Sequence, residues 1–185
     1  MENPVIRLLQ DRWPGRGMLP DPLSDEIVHE LIESVRLTPS CFNNQPWRFI
    51  FLTGEQARAA GLAALTERNQ TWASRAALLV FGYARKEDDC APKDGRQYYQ
   101  FDLGMAVMNL LLSATHHGLA ARPMAGFDPK AVRELYDLDK DDDVLIAIAI
   151  GRLTEQDGHV PEYARSNHLK PRVRKEASEI VRWIK

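Results

Sequence analysis

Strand patterns alternate with helical patterns along this 185-residue chain, which predicts an α+β or α/β domain with about four strands and one long central helix. Three observations carry that expectation. Val144 to Ile150 is an unbroken apolar run between Asp141-Asp142-Asp143 and Gly151, the pattern of a fully buried strand. Leu103 to Ala114 is apolar nearly all round, so a helix from Tyr98 to His117 should lie centrally and be buried on most faces. Trp47 to Thr53 and Leu78 to Ala84 are short runs rich in aromatic, branched and aliphatic residues, which read as two further strands.

The remaining elements follow in chain order. Asn3-Pro4 is a helix start, with Asn3 as N-cap and Pro4 at the first helical position, and the helix runs to about Asp11. Arg12-Trp13-Pro14-Gly15-Arg16-Gly17 breaks it. Ser24 caps a second helix, with Asp25 and Glu26 complementing the dipole and Ile27, Val28, Leu31, Ile32 and Val35 on one face. Thr38 before Pro39 is pushed out of helical geometry and ends it. Glu55 to Thr66 reads as an alanine-rich helix, and Lys86 to Gly95, with Glu87-Asp88-Asp89, as a solvated loop. Gly118 stops the long helix. Ala120 to Met124 is a short strand, and Asp128-Pro129 opens a helix to about Tyr136. Beyond Gly151 the chain is polar until Ala177 to Ile184.

Composition narrows the function classes. Apolar residues are 44% and charged residues 27%, an ordinary globular balance in a chain long enough for a substantial core. The formal net charge of −2 offers no basic field for nucleic acid. No apolar run approaches the ~20 residues of a membrane span, and the N-terminus lacks the pattern of a signal peptide. Two cysteines, Cys41 and Cys90, are too few for a disulfide framework and form no CxxC pair, so reduced thiols in a cytoplasm are expected. No histidine spacing suits a metal, and no GxGxxG or Walker pattern appears.

The most informative segment is Pro39-Ser40-Cys41-Phe42-Asn43-Asn44-Gln45-Pro46-Trp47-Arg48-Phe49. Its prolines fix a loop, and its serine, asparagines and glutamine line that loop with neutral hydrogen-bonding groups. Such a loop suits a flat ligand with polar edges.

Several landmarks fall together in order. They are an arginine-bearing N-terminal break, the PSxxNxQPWxF loop, an Asn-x-x-Trp ahead of a buried strand, and Asp-x-Gly opening the long helix. Arg-Pro-Met-Ala-Gly-Phe-Asp-Pro, a strand ending in Ile-Gly-Arg, and a basic tail complete the set. Together they resemble the nitroreductase family, dimeric flavoenzymes that hold FMN, over almost the whole chain. The resemblance implies a nitroreductase-like α+β fold: a mixed or antiparallel sheet of about four to five strands flanked by helices. It also implies a single domain over 1–185, whose tail, 154–185, wraps a partner subunit.

The site residues follow from the same resemblance. Arg12 is similar to an arginine that holds the FMN phosphate, with Trp13 beside it, and Arg16 to a basic residue near the flavin N1–O2 edge. Pro39, Ser40, Cys41, Asn43 and Gln45 belong to the loop that touches the flavin from the partner subunit. Asn69 matches an amide on the pyrimidine and ribityl side. Met124, Ala125 and Gly126 match the stretch past N5, and Arg172 and Arg174 lie where C-terminal phosphate ligands are found. One departure stands out: Pro14 replaces the family's usual serine, and it has neither hydroxyl nor backbone N–H.

The residue types suit that chemistry. Arginine forks suit a phosphate, amides suit an edge that alternates donors and acceptors, and a cation stabilises the charge that N1–O2 gains on reduction. Each has a plainer alternative: surface charge for a lone arginine, turn formation for asparagine, loop bracing for Gln45, and a small filler for Cys41. Hydride transfer to flavin N5 needs stacking and a short distance, so no catalytic side chain and no metal are expected.

The expected activity is ping-pong hydride transfer from NADH or NADPH through FMN to a nitroaromatic, quinone or similar small-molecule acceptor. The expected protein is a cytoplasmic homodimer with FMN sites at the subunit interface, bound to neither nucleic acid nor membrane. The same fold with other flavin chemistry (dehalogenation, flavin breakdown, enone reduction) and a non-catalytic flavin binder are the alternatives. An apolar tail of Ile180, Val181, Trp183 and Ile184 would be costly in water, which favours packing on a second subunit.

Overall fold

Both faces of the central strands are covered, which is why their sequences are continuously apolar rather than alternating. The computed structural model describes residues 3–154, 160–163, 165 and 172–185. Its elements are α1 (Pro4–Asp11), α2 (Asp25–Arg36), a 3-10 turn (Cys41–Asn43), β1 (Trp47–Leu52), α3 (Glu55–Leu62), α4 (Glu67–Ala73) and β2 (Leu78–Arg85). A second 3-10 turn (Lys86–Asp88), α5 (Tyr98–His116), β3 (Ala120–Met124), α6 (Pro129–Leu135), β4 (Asp142–Gly151) and α7 (Ala177–Ile180) follow.

The four strands form one sheet in the order β1-β2-β4-β3. Every pairing is antiparallel, so the sheet is not mixed. Leu79, Phe81 and Tyr83 of β2 face one side with Ala147 and Ala149 of β4, against Leu65, Trp72 and Val132. Leu78, Val80 and Ala84 face the other side with Ile148 and Ile150, against Leu31 and Val35 of α2 and Leu103 and Leu110 of α5. Two helical layers thus sandwich the sheet, so that each of its faces buries apolar side chains against helices. A register shift at Gly82/Tyr83 lies where a Cβ on Gly82 would come within 2.8 Å of Ile146.

Local signals place most boundaries. The Asn3 side chain accepts from Val5 N–H at 3.0 Å, and Ser24 Oγ accepts from Ile27 N–H at 3.4 Å. Asp128 accepts from Lys130 and Ala131 N–H groups ahead of α6. Gly118, at φ +67°, closes α5 in the left-handed conformation that favours glycine. The helix α5 buries a stripe through Tyr99, Asp102, Leu103, Ala106, Leu110, Leu111 and Ala114, while Met105, Val107, Met108 and Leu112 are half-buried and Phe101 is exposed.

Three expectations need correction. The alanine-rich segment does not run as one helix to Thr66: α3 stops at Leu62, and a separate α4 begins at Glu67. The break is tertiary in origin, because Leu65 bridges to Phe127 and Thr66 N–H donates to the Gly126 carbonyl at 3.0 Å. The Lys86–Gly95 connection is more than a solvated loop. Asp88 pairs with Arg48 at 3.0 Å, and Asp89 accepts from the Tyr98 and Tyr99 N–H groups, capping α5 from outside the helix. Finally, Cys41 and Cys90 are not free thiols: a disulfide joins them, with Cα atoms 5.9 Å apart. That removes the thiol-based reason for expecting a reducing compartment. Among the described residues, no helix is long and apolar enough to cross a membrane.

The expected C-terminal wrapping segment lies partly outside the described residues. Within them, α7 is exposed and is followed by exposed Val181, Trp183 and Ile184.

Candidate functional site

The break after α1 gathers positive charge. Arg12 ends the helix, donating its N–H to the Leu8 carbonyl at 3.0 Å. Arg172 reaches back from the tail to the same helix end. Its Nη1 donates to the Leu9 carbonyl at 2.5 Å, and its Nη2 donates to the Gln10 carbonyl at 3.0 Å and to the Arg12 carbonyl. These carbonyls are the acceptors that a helix C-terminus leaves unpaired, and a cation there also suits the dipole. A cavity of about 590 Å³ opens beside them, walled by Arg12, Arg122, Arg172 and Arg174 over Leu9 and Met108.

The charge continues along the chain's interior side. The Arg16 guanidinium lies 6.0 Å from the centroid of the Trp72 ring and 5.8 Å from that of the Tyr163 ring, and its buried Nε has no hydrogen-bond partner among the described residues. Arg68 stacks on Tyr163 at 4.3 Å, and the Tyr163 hydroxyl donates to the Arg68 carbonyl at 3.0 Å. The Arg122 guanidinium also lies over the Trp72 ring, 5.7 Å from its centroid.

No carboxylate among the described residues forms an ion pair with Arg12, Arg16, Arg68, Arg122, Arg172 or Arg174. The consequence is visible in the ionisation of the group. Burial lowers the pKa of Arg12, and neighbouring Arg172 and Arg174 add to the effect. Burial also lowers that of Arg16, helped by Arg68 and opposed by Tyr163. Arg122 is pulled down to about 10, mainly by burial and then by Arg16 and Arg12. Clustered, partly desolvated cations without counter-charge are costly, and a bound anion relieves that cost.

A neutral hydrogen-bonding shelf forms the second part. Asn69, on the unanticipated α4, donates from Nδ2 to the Gly126 carbonyl at 2.9 Å, and Thr66 Oγ1 donates to the same oxygen at 3.2 Å. A Cβ on Gly126 would come within 2.6 Å of Asn69 Nδ2 and 2.9 Å of Thr66 Oγ1, so a side chain there would push both groups out of their bonds to the Gly126 carbonyl. Met124 is buried in the core, whereas Ala125 is exposed just beyond the end of β3.

The Pro39–Pro46 loop is the third part. Phe42, Asn43 and Gln45 all have positive φ, at 51°, 60° and 50°. Such conformations cost on the order of 1–3 kcal/mol each and persist only where neighbours enforce them. Here Gln45 N–H donates to Ser40 Oγ at 2.9 Å, Gln45 Nε2 donates to the Asn43 carbonyl at 2.9 Å, and the disulfide and Asp102 hold Cys41. Phe42, 86% exposed, projects from this braced loop.

The expected residues therefore form groups within one chain. Arg12, Arg172 and Arg174 share a cavity, and Asn69 meets Gly126. The loop residues Pro39, Ser40, Cys41, Asn43 and Gln45 take no part in that cavity. Trp13 lines a separate cleft of about 470 Å³ with Arg152 and Leu153. Sequence reasoning missed Arg122, Arg68 and Tyr163. A charged residue inside the short strand Ala120–Met124 was the available signal for Arg122.

Comparison with known proteins gives a consistent picture. Residues 9–80 and 60–152 match the model of the nitroreductase family. YdgI of Bacillus subtilis (strain 168), a protein named as an NAD(P)H nitroreductase, is 26% identical over 190 residues, spanning 83% of this chain and 90% of its own. A 4-nitrobenzoate reductase of Pseudomonas putida is 34% identical over 92 residues, 50% of this chain and 40% of its own. The crystal structure of an oxidoreductase containing FMN superposes with a TM-score of 0.84 at 27% identity, over 98% of this chain and 92% of that one. A nitroreductase of Exiguobacterium sibiricum 255-15, crystallised with FMN, shares the fold at a TM-score of 0.81 and 19% identity, over 100% of this chain and 99% of that one.

Proposed function

The chain belongs to the nitroreductase family, and from that premise we propose that it is an FMN-dependent oxidoreductase taking hydride from NADH or NADPH and passing it to a nitroaromatic, quinone or similar acceptor. The observation that carries the reading is the arginine cluster around the 590 Å³ cavity, which has no acidic partner among the described residues. A phosphate monoester supplies the missing negative charge, and guanidinium forks are the best geometric match for it.

The residues fit FMN part by part. Arg12 and Arg174 would hold the phosphate, while Arg172 fixes the α1 terminus that carries Arg12. The Arg16 Nε, which has no hydrogen-bond partner among the described residues, is available to the N1–O2 edge. Asn69 and the backbone of Ala125-Gly126 offer the shelf for the ring, because Gly126 has no side chain to obstruct approach. FMN, when bound, supplies hydride acceptance and donation at N5. The protein's own part is to hold the ring, exclude water from one face and place positive charge where negative charge develops.

The Pro39–Pro46 loop completes the site from a second subunit in this reading. Its strained, disulfide-held form and projecting Phe42 suit a preformed surface rather than a mobile flap. The exposed Val181, Trp183 and Ile184 supply further apolar surface for the same homodimer; burying each is worth about 1.5–3 kcal/mol.

The test is the visible spectrum of purified protein reconstituted with FMN, before and after anaerobic NADH or NADPH. Uptake of one FMN per chain and bleaching by either nucleotide are expected. Protein that takes up no FMN, or bound FMN that neither nucleotide bleaches, would overturn the reading.

A further inference from the structure

We propose that Arg122 is a ligand of the cofactor phosphate, supplying the donors that Pro14 cannot; this rests on the FMN reading above. Pro14 stands in the cavity wall between Arg12 and Arg16 and has no N–H and no hydroxyl to offer an anion. Its one polar backbone group, the carbonyl, is already used: Arg122 Nη1 donates to it at 2.5 Å. That bond holds the guanidinium beside Pro14 in the cavity wall. Among the described residues, the Nε and Nη2 of Arg122 find no acceptor, so a fork of donors remains beside the cavity.

The surroundings of Arg122 argue against a brace alone. A brace to a carbonyl needs a single neutral donor, yet this position holds a half-buried cation opposed by the charges of Arg16 and Arg12, and no carboxylate among the described residues pairs with it. The Trp72 face, 5.7 Å away, gives partial cation–π compensation. Arg172 is not equivalent, because three of its four Nη hydrogens bond the carbonyls at the end of α1. Arg12, Arg122 and Arg174 are therefore the cavity's available cations.

The test compares FMN with riboflavin, which has the same ring and no phosphate, by fluorescence quenching on the apoprotein. For Arg122→Met, FMN affinity should fall about 10- to 100-fold, the loss expected for hydrogen bonds to a charged group, while riboflavin affinity changes less than about twofold. Inorganic phosphate should raise the melting temperature of the wild-type apoprotein more than that of the variant. Arg122→Lys, which keeps the charge and loses the fork, guards against misfolding and should fall between them. Pro14→Ser in the Arg122→Met background restores a hydroxyl and should recover part of the FMN affinity.

Equal losses of FMN and riboflavin binding would make Arg122 a structural brace and overturn the inference. So would an unchanged FMN-to-riboflavin ratio in both Arg122 variants. In either case, wild-type preference for FMN over riboflavin would leave the FMN reading standing. Absence of FMN binding by the wild type would remove both.

Discussion

The carboxylate of Asp102, 2% exposed in α5, accepts a hydrogen bond from the backbone N–H of Cys41 at 3.1 Å, across 61 residues of sequence. It ties the strained Pro39–Pro46 loop to the longest helix. Burial raises the Asp102 pKa above its ordinary 3.8, the Cys41 N–H works against that rise, and nearby Asp89 adds to it. The native state therefore holds this proton more tightly than the unfolded chain. Stability from this source is full below about pH 3.8 and declines as pH rises through the native value.

Asp102→Asn should lack that decline while keeping an acceptor for Cys41. In urea unfolding between pH 4 and pH 7, the difference in midpoint should shift in the variant's favour as pH rises. A difference that stays constant across the range would show that Asp102 has its ordinary pKa in the folded protein.

Reduction of the Cys41–Cys90 disulfide should lower stability by about 2–4 kcal/mol, since the bridge closes a long loop across a separation of 49 residues. Thermal melts with and without dithiothreitol, or of Cys90→Ser, measure it. Thiol titration of the unreduced protein should find no free thiol. Two reactive thiols would dispose of the bridge.

Gly126→Ala should cost about 1–3 kcal/mol through overpacking, because the new methyl meets Asn69 and Thr66. It should also weaken FMN retention by pushing the shelf apart. A variant with unchanged melting temperature would mean that Asn69 swings aside freely.

Arg12→Ala should lose a charge-assisted phosphate contact worth about 1.5–3 kcal/mol. Titration of the apoprotein with FMN reads this directly. Unchanged affinity would mean that the phosphate lies elsewhere.

Removal of Trp183 with Val181 and Ile184 should weaken self-association, because these side chains are 82%, 59% and 76% exposed in the single chain. Sedimentation velocity across a dilution series should show dissociation at higher concentration than for the full chain. An unaltered profile would assign those residues no part in the interface.

Much of the architecture was readable from neighbours in the chain. Asn3, Ser24 and Asp128 cap helices through bonds spanning two or three residues. The runs ending at Leu52, Arg85 and Gly151 are strands because their composition suits a doubly covered sheet. The arginines at both chain ends were visible as candidates, and so was Gly126; the resemblance implied that Arg12, Arg172 and Arg174 meet at one phosphate, but the bonds that bring them together could not be read there.

By itself the sequence determined the order of elements, the caps, the long helix and the family, since each depends on local chemistry or short motifs. Only the tertiary structure decided the rest. It split α3 from α4 by pairing Leu65 with Phe127, bound Arg172 to carbonyls up to 163 residues away, joined Cys41 to Cys90, and set Arg122 against Pro14 across 108 residues. The physical reason is common to all four. Hydrogen bonds, bridges and charge clusters between distant segments leave no periodicity in the sequence, and form only once packing around the sheet brings those segments together.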